Sequence, residues 1–364
     1  MKATNLSLTL AYALFGFVLF GSYPAQTLSA AEQPFYAGKT IRIIVGFAPG
    51  GTIDIRSRLF ARYLPKDVPG NPTIIVQNMT GAGGLVASNY ALSVAKPDGL
   101  TLLVSPSGIV MNTLLTATSV QYDIRQVPIL MLSSDSWLTV INPKTTQIKR
   151  IEDLLRTSTQ LRVGGTGVAS VRSLRPKLAL ELLGVSHTWV TGYKGSSDLL
   201  LAFEKGEIHL FEDPQDGYKP NIQPREKEGI ATALWQTGIM APDESFKRSE
   251  LLPRVPTLDE LLPKEKRKGV RWDAWKALVV PQVFQYITAV APGVPSDRIA
   301  ILSRALEKMT QDPGFRKDFE NTLGVPADAL FGEQADRIVK DGLKRLFGDY
   351  QQGVDYLRAL AKKK

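Results

Sequence analysis

The groups in this chain best suited to chemistry are glycines and small hydroxyl side chains set directly after apolar runs. Ile41 to Val45 reads as a short strand and is followed by Pro49, Gly50, Gly51 and Thr52, with Asp54 beyond them. From Asp54 onward, Ile55, Leu59 and Tyr63 recur at helical spacing. The order is strand, glycine turn, helix, an arrangement that lets a ligand approach the backbone and leaves the first helical N–H groups free for an anion. Gly83 and Gly84 close a second predicted strand, Thr73 to Gln77, and Ser105 and Ser107 close a third, Leu100 to Val104. Thr166 and Ser170 lie in the loop after Leu161 to Val163, and Asp213 ends a strand predicted over Ile208 to Phe211. The chemistry expected of this set is reversible anion binding. Each helix N-terminus favours a carboxylate by about 0.3–1 kcal/mol, and each charge-assisted hydrogen bond adds about 1.5–3 kcal/mol. A few such contacts reach about 8 kcal/mol, which is micromolar affinity. In this scheme no lysine or arginine is strictly required.

Two carboxylates have two readings each. Asp54 is a helix cap that accepts backbone N–H bonds, or it orders water or accepts from a ligand hydroxyl, amine or amide; Asp213 divides the same way. Arg56 is expected to face solvent.

Other chemistries find little support. Gly51 is followed by Thr52 and Ile53 where a Walker phosphate loop needs Lys and Ser/Thr. Gly165-Thr-Gly-Val-Ala-Ser170 approaches a dinucleotide fingerprint but carries serine at the third position and lies mid-chain. The histidines, His187 and His209, have no partners at metal-ligand spacing, and no Gly-x-Ser-x-Gly elbow is present. The expectation is no catalytic residue, no metal and no cofactor.

Lys2, the nearly uncharged run Leu6 to Phe20 and the small residues Ser29-Ala30-Ala31 read as an export signal cleaved near Ala31. An uncleaved anchor is the alternative, although the run of about 15 residues is shorter than the roughly 20 a spanning helix needs. The chain has no cysteine, so it has no disulfide, no thiolate-bound metal and no acylated N-terminal cysteine. A free periplasmic protein fits. Lys2 is the one charge within 1–31, so the net charge of +9 falls to +8 on cleavage. The basic residues are scattered, apart from Lys264 to Lys268 and Lys362 to Lys364, and neither cluster is interleaved with aromatics. Nucleic acid is therefore not an expected partner.

Strand and helix signals alternate along the remainder, which is long enough for two α/β lobes. Extended chain at Ile129 to Asn142 marks a crossing, and the apolar run Trp272 to Ala291 marks the return. The expected division is 1–31 as signal, 32–140 with 272–364 as the first lobe, and 141–271 as the second. Within the second, Pro176 unsettles the first turns of a helix running to Leu183. Ser296 is expected to cap a helix bearing Ile299, Leu302, Leu306 and Met309 on one face. Ala335 to Ala361 is expected to be helical and to pack on the first lobe.

Several segments, taken in order, resemble the periplasmic solute-binding receptors of the tripartite tricarboxylate transporter family, the Bug receptors. They are Tyr36 to Asp54, with its Pro-Gly-Gly-x-x-Asp loop, then Val76 to Gly84 and Lys96 to Leu103. Gly192 to Ser196, Leu252 to Thr257 and Val290 to Pro295 extend the match. The resemblance covers about Tyr36 to Gly332. It implies an α/β, two-lobed Venus-flytrap fold, each lobe a mostly parallel sheet flanked by helices. It implies capture of a small organic acid between the lobes and delivery to a membrane permease of that type, by a protein expected to be monomeric. By that resemblance the loops Pro49 to Asp54, Gly81 to Gly84 and Thr166 to Ser170 contact ligand. The chain departs from the pattern at Arg56, where an apolar residue is usual, at Val168 and Ala169, at Glu212-Asp213-Pro214 and an insertion around Gln215 to Glu228, and in a longer C-terminal extension after Gly332. Rival readings are a ligand-sensing module for a signalling receptor and an exported α/β enzyme.

Overall fold

A computed structural model describes residues 33–115, 117–241 and 244–362. The predicted export signal lies outside these residues. In chain order the strands are β1 (Thr40–Val45), β2 (Thr73–Asn78), β3 (Thr101–Pro106), β4 (Ile129–Ser133), β5 (Trp137–Ile141), β6 (Leu161–Gly165), β7 (His187–Thr191), β8 (Leu210–Pro214) and β9 (Thr232–Gln236). A small ribbon, β10 (Ile239–Met240) with β11 (Phe246–Lys247), precedes β12 (Tyr286–Ala289) and β13 (Leu330–Phe331).

Two mixed sheets result, ordered β13-β4-β12-β3-β1-β2 and β7-β6-β8-β5-β9. In the first, β1 runs parallel to β2 and β3, while β12 lies antiparallel between β3 and β4. In the second, β6 runs parallel to β7 and β8, while β5 lies antiparallel between β8 and β9. The lobes therefore share one plan. In each, the antiparallel strand is the first to arrive after the chain crosses from the other lobe. This is the two-lobed α/β fold expected from the sequence.

The boundaries shift from those expected. Trp137–Ile141 pairs in the second sheet, so the first crossing lies at 134–136 rather than at 140. On the return, the apolar run is mostly helical. It forms the helix Val270–Val279 and a short 3-10 turn, Val280–Phe284, before β12. The helix Val270–Val279 packs on Gln351–Lys362 and on Val171–Leu183 of the second lobe.

Alternation along β1 builds two cores. Ile41, Ile43 and Val45 face one way, toward Phe60, Leu302, Leu306, Met309 and Phe315. Ile44 faces the other way, into a cluster that continues through Met111 to Leu174, Trp275, Leu278 and Leu357. Each large apolar side chain so buried contributes about 1.5–3 kcal/mol relative to exposure. The second cluster runs through both lobes because the C-terminal helix Gln351–Lys362 lies between them. Its Arg358 Nε donates to the Leu114 carbonyl of the first lobe (2.7 Å), and its Tyr356 hydroxyl donates to Glu181 of the second (3.1 Å). The preceding helix, Gly332–Phe347, packs mainly on β4 and β13 of the first sheet, the lobe expected for the whole stretch. Pro295 rather than Ser296 occupies the N-cap of the helix Ser296–Gln311, and Pro176 is accommodated inside Val171–Leu183. Among the described residues, no helix is long and apolar enough to cross a membrane.

Candidate ligand-binding site

The carboxyl ends of the strands in both sheets feed loops that meet across the seam between the lobes. After β1, the Ala48 N–H donates to the Lys194 carbonyl beyond β7 (3.2 Å), and the Pro49 carbonyl accepts from the Ser197 hydroxyl (3.4 Å). After β2, Gly83 abuts the loop after β6. A Cβ there would come within 3.1 Å of the Ser170 Cβ, and its φ of +65° also favours glycine. The lobes are closed on each other.

Within the closed seam lies a cavity with room for about 50 Å3 of solvent, lined in part by Gly51, Thr52, Gly83, Thr166, Arg172 and Ser196. Four helices present their N-terminal residues to it. Thr52 and Ile53 open Thr52–Tyr63, and Gly108 opens Gly108–Leu115. Val171 and Arg172 open Val171–Leu183, and Ser196 opens Ser196–Glu204. The first two helices belong to one lobe and the last two to the other. Gly51 and Gly195 stand at N-caps without a side-chain bond, so the first amides of those two helices are uncapped. Two further donors are buried without partners among the described residues, the Thr52 hydroxyl and the Trp137 indole N–H, and both residues line the cavity. Unpaired polar groups are rare in protein interiors and call for an explanation. The remaining wall is apolar, formed by Phe47, Pro106, Pro214 and the Tyr286 ring.

Arg172 is the charged side chain of the lining, and the sequence reading missed it. Its Nε donates to the Glu212 carbonyl (2.9 Å), and its Nη2 donates to the Ser196 hydroxyl (2.8 Å) and to Asp213. Its Nη1 has no hydrogen-bond partner among the described residues. Asp213 therefore stands behind the lining, holding Arg172, Ser196 (2.6 Å) and Asn221 (2.8 Å). It is inside β8, whose true span carries both Glu212 and Asp213 within the strand rather than beyond it. Glu212 pairs with the fully buried Arg175 (2.8 Å). Burial pushes the Glu212 carboxyl up and the Arg175 guanidinium down, while their mutual attraction opposes both.

The other sequence candidates divide clearly. Gly51, Thr52, Gly83 and Thr166 line the cavity. Pro49, Gly50 and Gly84 shape its loops without lining it. Ser170 caps its helix by accepting from the Ser173 N–H and bonds the Thr166 hydroxyl (3.0 Å). Ser105 turns its hydroxyl to the Pro106 carbonyl, and Ser107 turns its own toward Gln285. The Asp54 carboxylate is directed into its own lobe. It accepts from Gly50 N–H (2.9 Å), Arg58 Nε (2.8 Å) and Asn78 Nδ2 (2.9 Å). Burial alone would raise its pKa, but these donors, Arg58 first, hold it below the usual carboxylate value. Among the described residues the Asp54 carboxylate accepts from the Gly50 amide, ahead of the N-cap, and from no amide of the helix Thr52–Tyr63, so it ties down the loop rather than capping the helix.

Arg56 is the plainest correction. It is only 5% exposed, and its guanidinium reaches across the seam to Asp216 in the second lobe (2.8 Å). It also donates to Ser133 (3.3 Å) and stacks 3.9 Å from the centre of the Tyr286 ring. The Tyr286 hydroxyl donates to the other oxygen of Asp216 (2.8 Å). Asp135, in the crossing segment, accepts from the Ser136 and Asp216 amides. Its pKa is raised well above the ordinary value by burial and by the Asp216 charge, with Arg56 opposing. Asp216 belongs to the insertion singled out in the sequence, and no local pattern links it to Arg56, 160 residues away.

Comparison with known proteins agrees with this architecture. The family model described as "Tripartite tricarboxylate transporter family receptor" matches residues 64–347. The protein BugT of Bordetella pertussis (strain Tohama I) is 33% identical over 351 residues, covering 94% of this chain and 97% of BugT. The solved structure of the periplasmic binding protein BugD superposes with a TM-score of 0.67 at 21% identity, covering 90% of this chain and 98% of BugD. MatC (Rpa3494) from Rhodopseudomonas palustris, solved with bound malate, gives a TM-score of 0.63 at 22% identity, covering 89% of this chain and 99% of MatC. Such receptors bind solutes and are not enzymes. With the family model spanning most of its length and BugT aligned nearly end to end, the chain belongs to the tripartite tricarboxylate transporter receptor family.

Proposed function

We propose that this protein is a periplasmic receptor that closes two lobes on a small organic acid and delivers it to a membrane permease of the tripartite tricarboxylate type. One observation carries the reading: helix N-termini from both lobes converge on a single cavity with donors at Thr52 and Trp137 that have no partner among the described residues. Amides and dipoles of that kind stabilise a carboxylate without new charge. Because the donors come from both lobes, the acid binds the closed form better than the open one and shifts the hinge equilibrium toward closure. The closed form is then the one a permease recognises. Malate bound in MatC, a protein of the same fold, supports the ligand class. The N-terminal export pattern supports the periplasmic location.

Titration calorimetry across a panel of organic acids, with small-angle scattering for compaction, tests the proposal. Binding of at least one acid at micromolar concentration, with a smaller radius of gyration when bound or an already closed form without it, supports it. A folded protein that binds no acid overturns it. Co-purification of the ligand-loaded form with its permease from detergent-solubilised membranes tests delivery.

A further inference from the structure

We infer that the cleft is built for a compact monocarboxylate, one anionic head on a short apolar body, and that Asp213 sets this limit by holding half of Arg172. The inference rests on the organic-acid reading above and narrows it.

Arg172 is the only charged residue among those lining the cavity, and its Nη2 is committed to Asp213 and Ser196. One guanidinium edge remains for a ligand. The two other buried arginines near the seam, Arg56 and Arg175, are paired to Asp216 and Glu212 and do not line the cavity. The Arg172–Asp213 pair is formally neutral. A single carboxylate can take the free edge of Arg172 together with the uncapped amides and the Thr52 hydroxyl. A second carboxylate in the same small space must share those amides with the first and has no second cation to offset the repulsion between them.

The closed seam leaves only about 50 Å3 open to solvent, which favours the smaller of two otherwise matched acids. Around the polar groups stand Phe47, Pro106, Pro214 and Tyr286, which suit methylene or methyl groups and leave a second ionised group unsolvated.

The test is a calorimetric titration of the full mature chain at fixed ionic strength with matched probes: butyrate against succinate, propionate against propionamide, and citrate. Butyrate is expected to bind at least tenfold more tightly than succinate, propionamide to lose most of the affinity of propionate, and citrate to show no heat of binding. In Asp213→Asn the freed guanidinium is expected to raise succinate affinity relative to butyrate by about tenfold. Should that variant fail to fold, the wild-type ratios decide. Succinate or citrate binding as tightly as butyrate overturns the monocarboxylate limit while leaving the organic-acid reading intact. Absence of binding by every acid, with a normal folded spectrum, overturns both. Equal binding of propionate and propionamide removes the anionic requirement and likewise overturns both.

Discussion

The seam between the lobes has two halves that treat polar groups in opposite ways. On the hinge side, Arg56, Asp216, Tyr286 and Asp135 are linked across the lobes, and among the described residues Nε is the one Arg56 nitrogen without a partner. On the cleft side, the Thr52 hydroxyl, the Trp137 indole and the first helical amides are buried and unspent. A buried polar group without a partner costs about 1–3 kcal/mol, so a protein retains several together only where something else supplies the partner. The difference separates two roles within one interface. The hinge side joins the lobes from within the protein, while under the proposed function the cleft side makes further closure energy conditional on a ligand.

Substitutions on the two halves therefore separate stability from affinity. The largest effect is expected at Asp216. Asp216→Ala strands the buried Arg56 charge and lowers stability by about 3–5 kcal/mol, read from urea unfolding, with a more open ligand-free form in small-angle scattering. A neutral result there would erase the distinction.

Asp135→Asn sharpens it through pH. A carboxyl whose folded pKa is raised contributes stability that is complete below its unfolded pKa and is lost as pH rises through the folded value. The variant and the wild type should thus unfold at similar temperatures near pH 4, about the ordinary carboxylate range, and the variant should gain on the wild type as pH climbs toward 8. Parallel melting curves across that range would contradict the assignment.

Asp54 works in the reverse direction. Its pKa is lowered, so its contribution is present above the ordinary carboxylate range and lost as pH falls through the folded value. Asp54→Ala should cost about 1 kcal/mol at neutral pH, with the deficit shrinking in acid. Affinity should fall by less than it does for a direct contact, because the carboxylate ties down Gly50 rather than lining the cavity.

Thr52→Val is the smallest change and the cleanest contrast. It removes a buried, unpartnered hydroxyl, so the ligand-free protein should lose no stability and should gain up to about 1 kcal/mol. Affinity for the acid should drop by about 0.5–1.5 kcal/mol, roughly two- to tenfold. A loss of stability with unchanged affinity would place Thr52 on the structural side of the comparison.

Much of this architecture is legible in the sequence. The alternation of Ile41, Ile43 and Val45, the glycine turn at Gly50 and Gly51, and the spacing of Leu302, Leu306 and Met309 each report a local period that the fold keeps. Loop composition likewise locates the cleft, because only small residues let two backbones approach as Gly83 and Ser170 do. Side-chain direction within those loops is not legible. Asp54 and Ser105 sit where ligand contacts are expected, yet both find partners inside their own lobe. Arg172 reads as an ordinary helix charge until β8 brings Asp213 beneath it. Arg56 and Asp216 are joined only by closure of the lobes, which no local pattern encodes.

The most direct measurement is amide NMR of the deuterated protein during titration with a bound organic acid. The account predicts that the largest downfield shifts fall together on the amides of Thr52, Ile53, Gly108, Val171, Arg172 and Ser196, one set from each lobe. Shifts confined to one lobe, or gathered away from the seam, would contradict it.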